Sequence, residues 1–230
     1  MASIAIIGST GLVGSQILST LLSLPSISSV HAIARRQPPS TDPKLHPLIN
    51  ADTAQWASSL ASVKPAPDIL LSALGTTRAA AGGIDNQRKI DLDLNVEVAR
   101  AAKAAGVKIY VLVSSGSASS ASRLPYSKMK GELEDAVKAM DFEHTVILRP
   151  GLLVGSRKET RLAEGLLNGL AKGLGAISGG VLKDFWAQDA EVVARAGVSA
   201  ALQTLEGGKP KVWEVGMGDI VRLGRTEWKA

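Results

Sequence analysis

Short runs of apolar, often β-branched residues alternate along the chain with longer stretches in which apolar positions recur every three or four residues. The first pattern suits strands buried on both faces, and the second suits helices that cover them. Strands are predicted near 3–7, 29–34, 46–50, 68–73, 108–114, 144–149 and 211–215, and helices near 12–24, 53–62, 86–105, 125–140, 159–174 and 189–205. Such alternation implies βαβ units with right-handed crossovers, hence an α/β, doubly wound, mostly parallel sheet of the Rossmann-like kind. Punctuation agrees: Gly106 follows the helix ending at Ala105, where a left-handed cap is wanted, and Pro38-Pro39 and Pro65-Ala66-Pro67 fall in loops. Residues 151–188 break the rhythm with a Gly-rich helical stretch, Gly179-Gly180 and the pair Phe185-Trp186. An irregular insertion beyond the carboxyl ends of the strands is where this fold builds a substrate pocket. The expectation is one domain over 1–230, with 151–188 and the C-terminal segment forming the substrate side.

Composition narrows the function more than the fold. At 230 residues the chain has no room for a second large domain. The 26 Lys+Arg against 21 Asp+Glu leave a net charge of +5, too weak and scattered to point to nucleic acid. The absence of cysteine removes disulfides, thiolate zinc sites and cysteine nucleophiles together. His31, His46 and His144 are too dispersed for a metal triad, so no metal is expected. No apolar window approaches the roughly 18–20 residues of a membrane span, and the first strand starts too early for a cleavable leader.

Directly after the first strand stands Gly8-Ser9-Thr10-Gly11-Leu12-Val13-Gly14, leading into a helix. Glycines at a strand-to-helix turn let the chain fold tightly and approach a pyrophosphate, while the helix N-terminus offers unpaired N–H groups and a positive dipole end. In a chain with 23 glycines the spacing alone is weak; its place between a buried strand and a helix makes it a dinucleotide site. The second strand ends in Arg35-Arg36, where an NAD-preferring site would carry an acid for the ribose. Two guanidinium groups suit a 2′-phosphate, so the cofactor expected is NADP(H). Asp52, just past the third strand, is read either as an acceptor for the adenine amino group or as a helix N-cap.

The fifth strand runs into Ser114-Ser115-Gly116, and farther on Tyr126-Ser127-Lys128-Met129-Lys130 opens a helix. Tyr126 and Lys130 share one helix face, so the ammonium is expected near the phenol, lowering its pKa toward working pH for acid–base catalysis. A seryl hydroxyl at the end of that strand is expected to hydrogen-bond the reacting carbonyl. A lone Tyr-x-x-x-Lys is weak; its convergence with the glycine turn, basic pair and strand-end serines at one sheet edge carries the reading.

These residues resemble the atypical branch of the short-chain dehydrogenase/reductases. Leu74-Gly75-Thr76-Thr77-Arg78, Ser114-Ser115-Gly116, Tyr126 to Gly131 with Glu132, Arg149-Pro150-Gly151 and Trp186-Ala187-Gln188-Asp189 narrow the resemblance. They are similar to the small fungal group called Fmp fifty-two, associated with the mitochondrial outer membrane, and more distantly to the animal Tat-interacting oxidoreductase. The resemblance implies that Gly8, Gly11 and Gly14 hold the pyrophosphate, Ser114 and Tyr126 face a carbonyl, and Lys130 binds the nicotinamide ribose. It further implies that Leu74, Gly75 and Thr76 line the cofactor, that Pro150 and Gly151 lie along the nicotinamide amide, and that the protein sits on the cytoplasmic face of that membrane. Asn95 lies where many relatives anchor a proton-relay water, with a helix-surface amide as the alternative. No long carboxy-terminal domain of the sugar-nucleotide epimerase kind follows, so a nucleotide sugar is not the expected substrate.

The resulting expectation is an NADPH-dependent reductase of a small carbonyl compound, with an NADP(H)-binding sensor or adaptor as the alternative. Gly165, Gly169 and Gly173 recur along the predicted helix opposite a leucine stripe. Close packing beside the pocket, a partner contact and peripheral membrane docking are all compatible with that helix.

Overall fold

The computed structural model describes residues 1–154 and 187–229. Seven strands form one parallel sheet in the order β3-β2-β1-β4-β5-β6-β9. They are β1 (Ala2–Ile7), β2 (Ile27–Ala34), β3 (Leu45–Ile49), β4 (Ile69–Ser72), β5 (Ile109–Val113), β6 (His144–Leu148) and β9 (Val212–Val215). Two further short strands, β7 (Leu152–Val154) and β8 (Ala187–Asp189), pair with each other, parallel and apart from the main sheet. The helices are α1 (Leu12–Ser23), α2 (Trp56–Ala61), α3 (Arg78–Ala81), α4 (Ile84–Arg88), α5 (Asn95–Ala105), α6 (Pro125–Ala139), α7 (Ala190–Glu206) and α8 (Met217–Val221).

The central strands are mostly apolar because both faces are covered. Along β1, Ile4 and Ile6 enter the layer formed with Ile17 and Leu21 of α1 and with Val193 and Ala196 of α7. The alternate residues Ala5 and Ile7 enter the opposite layer with Trp56 of α2, Val98 of α5 and Leu133 of α6. Side chains that alternate across a strand thus serve two cores, each full burial of a large aliphatic residue contributing about 1.5–3 kcal/mol. Small residues bring α7 close to the sheet: a side chain at Gly197 would stand 3.6 Å from Leu148.

Every predicted strand is present, with ends shifted by a residue or two. The run predicted as one helix over 86–105 is different: it starts at Ile84 and carries a wider turn of π type over Lys89–Leu94 between α4 and α5. The short strands β7 and β8 and the helices α3 and α8 were not anticipated; they are too brief to leave a period in the sequence. The helix predicted near 159–174, with Gly165, Gly169 and Gly173, lies outside the described residues, as does most of the irregular 151–188 segment. Among the described residues no helix is long and apolar enough to cross a membrane.

Because all seven strands of the sheet are parallel, the loops after β1, β2, β4, β5 and β6 line one edge. The strand order reverses between β1 and β4, and ligands of open α/β sheets bind at such a switch point.

Candidate active site

The turn after β1 is built by contacts of the chain with itself. Gly8 has φ +80°, and a side chain there would stand 2.5 Å from the Ala73 carbonyl carbon in the loop after β4. At Gly14 a Cβ would come within 2.0 Å of the Gly8 carbonyl oxygen. These two glycines are therefore demanded by the turn and by the neighbouring loop before any ligand is considered. Gly11 differs: it is exposed, its N–H donates to the Gly8 carbonyl at 2.9 Å, and a Cβ would meet only that carbonyl, at 3.2 Å. It caps α1 without a side chain, so the first N–H groups of the helix, on Leu12, Val13 and Gly14, face the open edge. Val13 itself packs in the core, which leaves its backbone alone to meet a ligand. Beside it the Ser9 hydroxyl is buried, 1% exposed, and has no partner among the described residues, while Thr10 is exposed.

Arg35 and Arg36 stand exposed at the end of β2, on the same edge. Asp52 is exposed and accepts the Ala54 N–H at 3.0 Å, so of its two readings the structure displays the cap.

The loop after β4 is stitched to the helix that follows it. The Thr76 N–H donates to Asp91 Oδ1 at 2.7 Å, and the Gln87 amide donates to the Thr76 carbonyl at 3.0 Å. The wider turn over Lys89–Leu94 leaves carbonyls without regular α-helical partners. The Asn95 amide nitrogen fills that need, donating to the carbonyls of Ile90 at 3.2 Å and Asp91 at 3.1 Å and reaching Leu74 at 3.4 Å. Its oxygen accepts the Ser72 hydroxyl at 2.5 Å. Asn95 is fully buried, so the surface-amide alternative is corrected: its side chain braces the turn.

Across the edge, Tyr126 opens α6 as a residue 42% exposed, and Lys130 lies one turn later at 4% exposed. The Lys130 ammonium donates to the Val113 carbonyl at 3.2 Å. Burial pulls its pKa down, opposed by the negative charges of Asp91 and Glu134. The expected lowering of the Tyr126 phenol is overturned. Partial burial and then the charge of Asp91 hold that phenol above its ordinary value, against a downward pull from the Ser115 hydroxyl. The physical reason is that the phenol loses solvent at the rim and feels the Asp91 charge, while the Lys130 ammonium is tied to the Val113 carbonyl and balanced by Asp91 and Glu134.

The two strand-end serines also divide their work differently from expectation. The Ser114 hydroxyl donates to Glu134 Oε1 at 2.5 Å, and both groups are buried. Glu134 in turn accepts from Arg149 Nη2 at 2.5 Å and from its Nε at 3.2 Å, while Arg149 Nη1 reaches Glu214 at 2.6 Å. It is Ser115 whose hydroxyl stands by the Tyr126 phenol. Farther along, the serine-rich loop lies directly on α6, where a side chain at Gly131 would come within 2.0 Å of the Ser120 nitrogen. Pro150 accepts the Gly116 N–H at 2.7 Å, and the Gly151 N–H donates to Gln188 at 2.7 Å.

The model of the NAD dependent epimerase/dehydratase family matches residues 4–216. The chain belongs to that family. It is 53% identical over 232 residues to Protein fmp52-1, mitochondrial, of Aspergillus terreus, covering 98% of this chain and 100% of that one. It is 53% identical over 235 residues to Protein fmp-52, mitochondrial, of Neurospora crassa, covering 99% and 97% of the two chains. The resemblance read from the motifs therefore points to the right group of relatives. Among solved structures, the fold is similar to the Bordetella bronchiseptica enzyme WbmH in complex with NAD+, with a TM-score of 0.67 at 17% identity, covering 93% of this chain and 75% of that one.

A dinucleotide of the kind for which the family is named fits the residues present. The uncapped start of α1, the space left at Gly11 and the unpartnered Ser9 hydroxyl form a donor-lined cradle suited to a diphosphate. The histidines stand apart from it: His31 stacks on His46 with ring centroids 5.2 Å apart, and His144 Nδ1 lies 3.2 Å from the Pro210 carbonyl.

Sequence reasoning passed over Asp91, Gln87 and Glu134, and of the two strand-end serines the resemblance singled out Ser114. For Asp91 a signal was present. Positions 91, 95, 98, 99 and 102 form the buried stripe of the helix, and two of them are polar. A polar residue on a core stripe must find buried partners, which marks it as part of a network.

Proposed function

We propose that this protein is an NADPH-dependent oxidoreductase that reduces a small carbonyl compound, with Tyr126 as the proton donor. The observation that carries the reading is Tyr126, part-exposed at the carboxyl edge of the sheet, one helical turn from buried Lys130 and on the same edge as the glycine cradle. The N–H groups of Leu12, Val13 and Gly14, with the Ser9 hydroxyl, would hold the pyrophosphate between Gly8, Thr10 and Gly11. Arg35 and Arg36 would grip the 2′-phosphate, Leu74, Gly75 and Thr76 would line the cofactor, and Pro150 and Gly151 would border its nicotinamide. Asp52 has no part in that scheme beyond its cap. When bound, the cofactor supplies the hydride that reduces the carbonyl carbon.

The chain's own residues deliver the proton. A phenol held above its ordinary value stays protonated at neutral pH, which suits a donor to the developing alkoxide better than a base. Tyr126 Oη gives its proton to the carbonyl oxygen, and the Ser115 hydroxyl beside it hydrogen-bonds the same oxygen. Lys130, one helical turn on, would bind a ribose hydroxyl of the cofactor. Ser114 takes a supporting role, fixing Glu134 beneath Lys130. The relatives' names support a mitochondrial setting, and we place the protein on the cytoplasmic face of the outer membrane as one domain over 1–230.

Single-turnover oxidation of NADPH against a carbonyl panel tests the assignment. Tyr126→Phe should slow reduction by about 10²–10⁴-fold with cofactor affinity retained. Equal rates in the two proteins would remove Tyr126 as the acid. The commitment of Ser114 to Glu134 favours a second reading, an NADP(H)-binding adaptor without turnover. That protein would bind NADPH, oxidise it with no carbonyl, and change its affinity for a partner protein when the cofactor binds.

A further inference from the structure

In the run Arg149-Pro150-Gly151, the first residue has no part in the chemistry proposed so far. Arg149 follows β6, and its guanidinium is held between two carboxylates from different elements. Toward α6, Nη2 donates to Glu134 Oε2 at 2.5 Å and Nε lies 3.2 Å from both Glu134 oxygens; toward β9, Nη1 donates to Glu214 Oε2 at 2.6 Å. Glu134 is 2% exposed and also accepts the Ser114 hydroxyl, which anchors the pair at the end of β5. A planar fork serves two carboxylates at once in fixed directions, whereas a lysine ammonium would neutralise them without setting an angle. The next two residues are tied just as closely. Pro150 accepts the Gly116 N–H from the loop after β5, and the Gly151 N–H donates to fully buried Gln188 of β8, each at 2.7 Å. Of these ties, the one that reaches the helix of Tyr126 and Lys130 is the guanidinium of Arg149.

We propose that Arg149 is a positioning residue for hydride transfer: by gripping Glu134 it fixes the Pro150-Gly151 wall at a set distance from the helix that carries Tyr126. The inference rests on the reading of Pro150-Gly151 as the border of the nicotinamide and of Tyr126 as the proton donor. Hydride and proton must reach the two ends of one carbonyl bond, about 1.2 Å long, so wall and phenol have to keep their spacing. A displacement of about 1 Å at such a site costs about 10²-fold in rate. The wall leaves β6 and the phenol stands at the head of α6, with the whole helix and strand between them along the chain. An ion pair across that gap fixes the spacing directly. Glu134 lies about two turns along α6 from Tyr126 and one turn from Lys130, so the helix carries the restraint to both. Lys130 is held to the same strand end through the Val113 carbonyl, the residue before Ser114. Arg149 touches neither cofactor nor substrate in this scheme; it acts through the wall and the helix.

Calorimetric titration with two ligands tests the assignment: NADPH, and adenosine 2′,5′-bisphosphate, which carries the 2′-phosphate end and has no nicotinamide. Arg149→Lys keeps the charge that Glu134 needs and loses the fork. It should weaken NADPH by about tenfold, roughly the worth of one hydrogen bond, and leave the bisphosphate unchanged. Single-turnover reduction at saturating NADPH should slow by about 10²-fold. Glu134→Gln should show the same split between the two ligands, and the double variant should be little worse than either alone, as expected of two members of one pair. A merely structural role would weaken both ligands together. Equal weakening of the two, or NADPH affinity unchanged in both variants, would overturn the proposal. The unmodified protein gives an answer even where the variants fail to fold. With ¹⁵N-labelled arginine, the Arg149 Nε–H resonance should move on adding NADPH and stay in place with the bisphosphate; a resonance unmoved by NADPH would also overturn it. The expected split in a protein inactive on every carbonyl would sink the reductase reading alone, and an active reductase without the split would sink the role of Arg149 alone.

Discussion

The glycine turn after β1 and the tyrosine rim at the start of α6 face the same edge but are made in opposite ways. The turn is a backbone device: its shape follows from two places where a single Cβ would collide with the chain, and its donors are main-chain N–H groups. The rim is a side-chain device, in which Asp91, Lys130, Glu134, Arg149 and two serines, drawn from four separate segments, set one another's charge and orientation. The first tolerates almost any side chain except where there must be none. The second tolerates conservative changes of shape but not of charge.

The contrast is tested most severely within the turn. Gly14→Ala forces a backbone clash that no rotamer relieves, and we expect a loss of about 3 kcal/mol in urea unfolding, with cofactor binding lost as well. Gly11→Ala meets only one carbonyl at the edge of tolerance, so its unfolding midpoint should stay near wild type while NADPH affinity falls. Equal destabilisation by the two would mean that the cradle at Gly11 is structural.

On the rim, Glu134→Ala leaves Ser114 unpartnered and Arg149 with Glu214 alone. The expected cost is about 2 kcal/mol by thermal unfolding, less than for a wholly buried pair because Arg149 is 30% exposed. The double change Arg35→Ala with Arg36→Ala touches neither core. It should weaken NADPH relative to NADH by about 10–100-fold, the worth of one or two charge-assisted hydrogen bonds, with the unfolding midpoint unmoved. An unchanged preference would show that the 2′ substituent is recognised elsewhere.

The smallest effect concerns pH. Because the Asp91 carboxyl is raised in the folded protein, the unfolded chain releases that proton first as pH increases. The folded state then binds more protons, so stability contributed by this group falls as pH rises from the ordinary aspartate range through the folded value. Urea midpoints across that window should decline in wild type and flatten in Asp91→Asn. A variant with the same slope as wild type would assign the decline to another carboxyl.

The same contrast explains what could be read beforehand. Strands buried on both faces read as near-continuous apolar runs, as β1 and β5 do, so their places and the fold class follow from the pattern along the chain. The glycine turn is local and is written in seven consecutive residues. Which of two adjacent serines meets the phenol is another matter. Neighbouring residues leaving a strand point to opposite sides, so the choice of Ser115 over Ser114 hangs on where β5 ends. The direction of the Tyr126 shift was equally out of reach, since Asp91 lies 35 positions upstream and its approach depends on a turn that departs from the 3.6-residue period.

That turn has a consequence for the chain's length. A loop of helix closed from residue i to i+5 holds one residue more than its neighbours, so it acts as a spacer whose removal would let the helix regularise. Excising a single residue between Lys89 and Leu94 would let the segment close as regular α-helix with α4 and α5 keeping their faces, and would take away the widened turn whose carbonyls Asn95 now satisfies. The extra residue is thus a local accommodation, spent on aiming one side chain at the strand edge and leaving the helices on either side where they were.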